Sequence, residues 1–437
     1  HSRGNNSSPK WSPDGKKLAF RSNRGDHSFI GIYKNNEKPI VWMDPSYDRD
    51  SSPRWSPDGK NLVFIRQPGS GGVPDSILAG RHNPWKILKA NTESGESKLL
   101  WEAPKTLRGS VPRTHGGTNL HWGNGRIVFL SYHDGWPHLY SLLEEGGKEI
   151  LLTPGNFMCE YIKISPDRNH IIFTANTGID PLDIDRRHVI MVPVDKAEME
   201  VMTPGSGLEW TPLITGDMSN LVYLSTSATR PPLPTIMNLK TRKNKILSLD
   251  KIPNDFPSDK MVVPTQVVFN SIDGLSIHAT KFEKKEGKQK KPAIIYIHGG
   301  PPRQMLLGWH YSSYYSNAYA LNQYLANLGF VVLSVNYRLG IGYGYEFHNP
   351  LDGRTRGASE YKDIKAAGLW LVDQKYIDPN HIYVYGGSYG GFLTAMALGR
   401  DSKLFAGGVD IHGVHDWTRR SFSLSSNRYE KAPDYEK

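Results

Sequence analysis

Ile382-Tyr383-Val384-Tyr385-Gly386-Gly387-Ser388-Tyr389-Gly390-Gly391-Phe392-Leu393-Thr394-Ala395-Met396-Ala397-Leu398 is the stretch on which the reading of this 437-residue chain turns. Its first four residues form an apolar run of strand length, and its last seven read as a helix. Between them Gly386-Gly387-Ser388-Tyr389-Gly390 fits Gly-x-Ser-x-Gly. The pentapeptide alone is common. Strand, sharp turn and helix around it are the context of a nucleophile elbow, in which the bend strains the serine backbone and lifts the hydroxyl above the sheet edge. The flanking glycines are required because any Cβ there collides with neighbouring backbone. Ser388 is therefore the candidate catalytic nucleophile.

Outward from this stretch the pattern alternates. Strands are expected at Gln266–Phe269 and Ser276–Lys281, around the turn Asp273-Gly274, and at Ala293–Ile297, Phe330–Val335 and Ala406–Ile411. Helices are expected around Tyr314–Leu328, around Ser359–Gln374 and from Gly391. Alternation of this kind predicts a mostly parallel sheet with helices on both faces. His298-Gly299-Gly300-Pro301 directly follows the strand Ala293–Ile297. Acyl transfer needs two amide donors for its oxyanion, one after the nucleophile and one from the loop after an earlier strand. Those are the N–H groups of Tyr389 and Gly299. His298 precedes the nucleophile, whereas the base in this arrangement follows it, so His298 is not assigned as the base.

The N-terminal half has a different grammar. Lys10-Trp11-Ser12-Pro13-Asp14-Gly15 recurs as Arg54-Trp55-Ser56-Pro57-Asp58-Gly59 and as Lys163-Ile164-Ser165-Pro166-Asp167-Arg168, with weaker relatives at His121–Phe129 and Leu213–Tyr223. Ser-Pro-Asp-Gly is a turn: Pro fixes φ, Asp bonds its own backbone and Gly takes positive φ. An apolar alternation follows each copy, which makes one hairpin. Equivalent positions at 11, 55, 122, 164 and 214 are spaced by 44, 67, 42 and 50 residues. Most of these spacings suit one four-stranded propeller blade. The long interval predicts an insertion at Gln67–Pro84. The pattern ends near Ser248, and the polar, proline-bearing Lys251–Val263 reads as a linker.

Composition narrows the classes. The length suits two or three domains, and 38% hydrophobic with 22% charged residues is a globular composition. The net charge of +10 is dispersed; its one dense run, Lys284–Lys291, reads as a solvated loop, so no nucleic-acid partner is expected. No apolar run reaches the length of a membrane span. The single cysteine, Cys159, reads as a structural thiol. Metal-spaced His/Cys clusters are missing from the sequence, so neither metal nor organic cofactor is implied.

His298-Gly299-Gly300-Pro301, Val335-Asn336-Tyr337-Arg338, Gly342-Tyr343-Gly344, Asp378-Pro379 and Gly386-Gly387-Ser388-Tyr389-Gly390-Gly391 resemble, in order and spacing, the prolyl oligopeptidase family, with the acylaminoacyl-peptidase and dipeptidyl-peptidase branches nearest. The resemblance implies a β-propeller of WD40-like, TolB-type repeats over residues 1–250, a linker at 251–264 and an α/β-hydrolase domain at 265–437. It implies a serine peptidase acting on short peptides. A carboxylesterase using the same elbow and a non-catalytic propeller scaffold are the alternatives. In the family the triad acid lies roughly eighty residues past the serine and the histidine roughly thirty further. Only 49 residues follow Ser388, so both are expected beyond the end of this chain, which reads as a fragment that is inactive alone. His412, His415 and Asp416 fall too early and are expected to line the wall. Trp417, 29 residues past Ser388, is a candidate substrate-pocket residue. The pair Glu144-Glu145 reads as a solvated turn rather than an amino-terminus-binding pair. The family occurs in cytoplasm and periplasm, and the reading leans to the periplasm.

Overall fold

One hydrogen-bonding device recurs through the N-terminal half. The computed structural model describes residues 4–70, 80–112, 119–285 and 290–416. In the first turn the Ser12 hydroxyl donates to Asp14 Oδ1 at 2.6 Å and accepts the Lys17 N–H at 2.9 Å. Ser56 does the same with Asp58 and Asn61 (2.6 and 2.9 Å), and Ser165 with Asp167 and His170 (2.5 and 3.0 Å). Thr215 repeats it with Asp217 and Asn220 at 2.6 and 3.0 Å. The left-handed position is Gly15, Gly59, Arg168 and Met218 in the four copies, with φ between 59° and 69°. The Leu213–Tyr223 copy looked weak in sequence because Thr and Met replace Ser and Gly. The hydroxyl and the backbone angle are nevertheless kept.

Each turn joins the first two strands of a four-stranded antiparallel set. The sets are β1 (Asn5–Trp11), β2 (Leu18–Asn23), β3 (Ser28–Tyr33) and β4 (Val41–Trp42); β5 (Arg49–Trp55), β6 (Asn61–Gln67), β7 (Lys86–Asn91) and β8 (Ser97–Glu102); β9 (His121–Trp122), β10 (Arg126–Ser131), β11 (His138–Leu143) and β12 (Ile150–Leu151); β13 (Cys159–Ile164), β14 (His170–Ala175), β15 (His188–Pro193) and β16 (Glu200–Val201); and β17 (Leu208–Ile214), β18 (Asn220–Thr226), β19 (Leu233–Asn238) and β20 (Asn244–Ile246). A single parallel pairing, Ser28 with Arg49, fuses the first two sets. Trp11, Trp55, Trp122, Ile164 and Ile214 all line one cavity of about 440 Å³, so the first strands of all five sets converge on a common opening. The long interval between Trp55 and Trp122 divides between two connections, 68–85 and 103–120, rather than falling wholly within Gln67–Pro84. Residues from adjoining sets interleave: Val128, Leu130 and Leu139 pack with Ile171, Phe173 and Ile190.

The segment expected as a linker is tied down. Phe256, Met261 and Val262 pack beside Trp309 and Tyr319, and the Val262 N–H donates to Gln323 Oε1 at 2.8 Å. Beyond it lies a six-stranded sheet, in the order β21 (Thr265–Asn270), β22 (Ser276–Phe282), β24 (Val331–Asn336), β23 (Lys291–Ile297), β25 (Ile377–Gly387), β26 (Gly407–Ile411). The β21–β22 and β22–β24 pairs are antiparallel and the other three parallel, so the sheet is mixed, its antiparallel part beginning at the hairpin around Asp273-Gly274. Alternate residues face opposite ways. Ile295, Ile297, Leu333 and Val384 pack with Ile364, Ala367 and Leu371 of α3 (Glu360–Val372) and with Leu393 and Ala397 of α4 (Tyr389–Arg400). Ile294, Val332 and Phe282 face Tyr319, Leu325 and Ala326 of α1 (Ser313–Asn327) on the other side. A short α2 covers Tyr345–His348.

A polar seam joins the two halves. The Asp185 carboxylate, at the end of the 3₁₀ turn Pro181–Asp185, accepts Tyr343 Oη at 2.5 Å, Gln266 Nε2 at 2.5 Å, Gln304 Nε2 at 3.1 Å and a His278 contact at 3.0 Å. Arg187 and Glu160 form a fully buried pair at 2.7 Å, with the Tyr311 hydroxyl on the second carboxylate oxygen at 3.4 Å. At the periphery the Tyr345 N–H donates to Gly135 O at 2.8 Å, and Arg108 pairs with Glu346 at 2.5 Å.

Candidate active site

β25 runs into Gly386-Gly387, and α4 begins at Tyr389, two residues earlier than the helix pattern suggests. Ser388 between them has φ +56° and ψ −113°. A β-carbon makes this region costly, by about 1–3 kcal/mol, so surrounding contacts must hold it. They do: the Ser388 N–H donates to Ile411 O at 2.9 Å, and its carbonyl accepts the Phe392 and Val414 N–H groups at 3.1 and 3.3 Å. The serine stays partly exposed at the carboxyl end of the central parallel strand.

Two glycines set the height of this bend. A Cβ on Gly386 would sit 2.7 Å from the Gly390 carbonyl carbon, and one on Gly390 would stand 2.8 Å from the Ile297 carbonyl carbon and 3.0 Å from His298 O. Removing both side chains lets β23, β25 and the first turn of α4 close on one another. That closure brings the loop after β23 to the serine. A Cβ on Gly299 would lie 3.4 Å from Ser388 Cβ and 2.7 Å from Gly387 O. Gly299 and Ser388, 89 positions apart, are thus direct neighbours.

The loop is held from three sides. Tyr315 of α1 donates its hydroxyl to Gly299 O at 2.8 Å. Tyr337 donates to His298 O at 2.8 Å, and its ring stacks on the His298 ring at 4.3 Å. His298 Nδ1 lies 3.1 Å from Gly299 O. Complete burial pushes the His298 imidazole down to about 4, the Gly299 carbonyl opposing weakly and the Arg303 charge adding to the shift. His298 is therefore a neutral structural wedge at neutral pH. The Tyr389 side chain points away from the cleft, its hydroxyl on the buried Glu360 carboxylate and its ring parallel to Tyr337 at 6.4 Å. Its amide opens α4, where N–H groups have no acceptor within the helix.

The other sequence candidates separate. His412 approaches the backbone of the elbow, its Cε1 lying 3.7 Å from a Cβ built on Gly387. His415 Nε2 pairs with Asp410 Oδ2 at 2.6 Å, while Asp410 Oδ1 takes the Gly413 N–H at 2.8 Å. These groups belong to the loop that braces Ser388, and among the described residues no histidine bonds its hydroxyl. Trp417 lies outside the described residues. Glu145 is shared by Lys89 and Lys98 at 2.6 and 2.7 Å, and Glu144 accepts from Trp122 Nε1 at 2.9 Å, so this pair is engaged within its own sheets. Tyr315, Glu360 and Arg303 were not singled out by sequence reasoning, and Tyr337 only as part of a motif with no role assigned. An aromatic opening α1 was visible, but no motif says which tyrosine reaches back across the sheet.

The geometry defines an α/β-hydrolase-type elbow beside a glycine loop, preceded by repeated four-stranded sheets. Residues 316–437 match the prolyl oligopeptidase family, and residues 84–232 match the dipeptidyl peptidase IV N-terminal region. The resemblance read from the motifs is borne out. Among curated relatives, dipeptidyl peptidase 4 of Trichophyton tonsurans is 28% identical over 370 residues, 79% of this chain and 44% of its own length. Dipeptidyl aminopeptidase BIII of Pseudoxanthomonas mexicana is 38% identical over 122 residues, 28% of this chain and 16% of its own. The chain thus spans less than half the length of these relatives. Among solved structures, Porphyromonas gingivalis dipeptidyl peptidase 4 superposes with TM-score 0.63 at 18% identity, covering 100% of this chain and 72% of the other. A Mycobacterium tuberculosis puromycin-hydrolyzing peptidase gives TM-score 0.70 at 17% identity, covering 97% and 63%. At these identities the likeness is one of fold.

Proposed function

We propose that this chain is part of a serine peptidase that hydrolyses short peptides through an acyl-enzyme on Ser388. The observation that carries the reading is the left-handed Ser388 held against Gly299 at the carboxyl end of a parallel strand. In the proposed reaction the Ser388 hydroxyl attacks the scissile carbonyl while a histidine takes its proton, and an acid orients that histidine. Both are supplied from beyond the described residues. The N–H groups of Tyr389 and Gly299 stabilise the oxyanion as it forms. The amine departs with the proton returned by the histidine, and water, activated by the same base, releases the acyl group. Trp417 is kept as a candidate wall of the substrate pocket.

The five sheet sets are proposed as blades of a β-propeller over residues 1–250, joined through 251–264 to a hydrolase domain at 265–437. Their shared opening and recurrent inner turn support this assignment. A propeller seated on the hydrolase would restrict access to short, unfolded substrates.

The test uses the full-length protein. A fluorophosphonate probe is expected to label wild type and not Ser388→Ala, and a peptide anilide is expected to turn over faster than a simple ester of the same acyl group. No labelling would support the scaffold reading, and an ester preference would support the esterase.

A further inference from the structure

We propose that the cleft beside Ser388 selects substrates carrying a carboxylate, and that Arg303 is the residue that reads it. The inference rests on the peptidase reading above. Arg303 lies four residues beyond Gly299 in the same loop. Its guanidinium stands 5.9 Å over the ring of Tyr315, the tyrosine whose hydroxyl holds Gly299 O. Two residues, Tyr315 and Gly299, therefore separate this cation from the nucleophile. Its Nη1 donates to the adjacent Pro302 carbonyl at 2.7 Å, and among the described residues no ion pair joins it to a carboxylate.

The carboxylates in its surroundings are already committed. Glu160 is paired with Arg187, and Asp185 accepts from Gln266, His278, Gln304 and Tyr343. The charge of Arg303 is correspondingly felt by its neighbours: it helps to hold His298 and His310 neutral and favours ionisation of Tyr311 and Tyr315 against burial. An unneutralised guanidinium in a partly buried cleft forms charge-assisted, fork-shaped hydrogen bonds with a carboxylate, roughly twice as strong as neutral ones.

The space next to it has the same sign. At Pro302 a cavity of about 520 Å³ opens between the sheet half and the hydrolase half, which is the size of a small-ligand site. Among the described residues its charged lining is Arg81, Arg354 and Arg356, with His348 and no aspartate or glutamate. Arg356 is occupied by the Leu351 and Pro350 carbonyls. The Arg354 N–H donates to the Glu360 carboxylate that also takes the Tyr389 hydroxyl, so this wall is connected to the residue after the nucleophile. A substrate with an acidic side chain, or a free terminal carboxylate, meets complementary charge along this path. A lysine- or arginine-bearing substrate meets like charge, which discriminates against it.

The experiment uses full-length protein and matched peptide substrates that differ only in Glu or Gln at each position flanking the cleaved bond. At one position or more, Glu is expected to exceed Gln in kcat/KM by about tenfold, falling below about threefold in Arg303→Gln. The wild-type ratio is also expected to shrink with added salt, which tests the charge even if the variant folds poorly. Fluorophosphonate labelling of Ser388 in wild type and variant is measured alongside. Failed labelling of wild type would sink the peptidase reading itself. Normal labelling with a Glu/Gln ratio near one at every position, or a ratio that Arg303→Gln leaves unchanged, would overturn the inference.

Discussion

The Tyr337 hydroxyl holds the carbonyl oxygen of His298 at 2.8 Å, and so fixes the plane of the peptide whose N–H, on Gly299, faces Ser388. Removing that one oxygen leaves the ring packing in place. Tyr337→Phe in the full-length protein is expected to lower kcat by about tenfold with KM little changed, because a misaimed oxyanion donor is felt mainly in the transition state. An unchanged kcat would remove Gly299 from the proposed oxyanion site.

Ser388 occupies a backbone region that glycine enters freely. Ser388→Gly is therefore expected to abolish activity and to raise stability by about 1 kcal/mol in urea unfolding, whereas Ser388→Ala abolishes activity without the gain. Equal stabilities of the two variants would show that the bend carries no strain.

Arg187 and Glu160 form an ion pair sealed completely from solvent between the sheet half and Tyr311. Replacing Arg187 by Met strands a buried carboxylate and is expected to cost about 3–5 kcal/mol. Pairing it with Glu160→Gln is expected to recover a large part of that loss. A thermal shift of the single variant no larger than that of an exposed pair such as Arg108–Glu346 would contradict the burial argument.

Acid should weaken the fold through its buried imidazoles. Burial holds the folded-state pKa of His298 at about 4 and of His121 at about 3, both below the ordinary value of 6.5. Between pH 6.5 and 4 the unfolded chain binds protons that the folded chain refuses, so stability falls as pH is lowered through that window. Asp50, raised to about 6 by burial against the pull of Arg66, acts in the opposite sense, its folded form taking up a proton first. Unfolding free energies measured at pH 7, 6 and 5 should decline, and His298→Gln should flatten the decline. A slope unaltered by that substitution would place the titration elsewhere.

Much of this architecture was legible in the sequence because its signals are local. The Ser-Pro-Asp-Gly turns, the hairpin at Asp273-Gly274 and the strand–turn–helix around Ser388 each need only neighbouring residues, and each appears where its pattern lies. The mixed sheet was less legible. Ser276–Phe282 pairs with Val331–Asn336 across an intervening strand and helix, and nothing in an alternating pattern states the direction of such a pairing. The supports of the site were hidden for the same reason. Tyr315, Tyr337 and Glu360 reach it from three different elements, and a tyrosine aimed at a distant carbonyl looks in sequence like any core aromatic.

The hydroxyl–carboxylate turns have one further consequence. Four of the five sets close their first hairpin with bonds drawn from about six consecutive residues, so its geometry owes nothing to the length of chain on either side. Extra sequence can then accumulate at the outer connections, as in 68–85 and 103–120, without disturbing the strands that meet at the centre. Chain length and hairpin geometry are thereby uncoupled: the connections can lengthen while the turn that starts such a set keeps its shape.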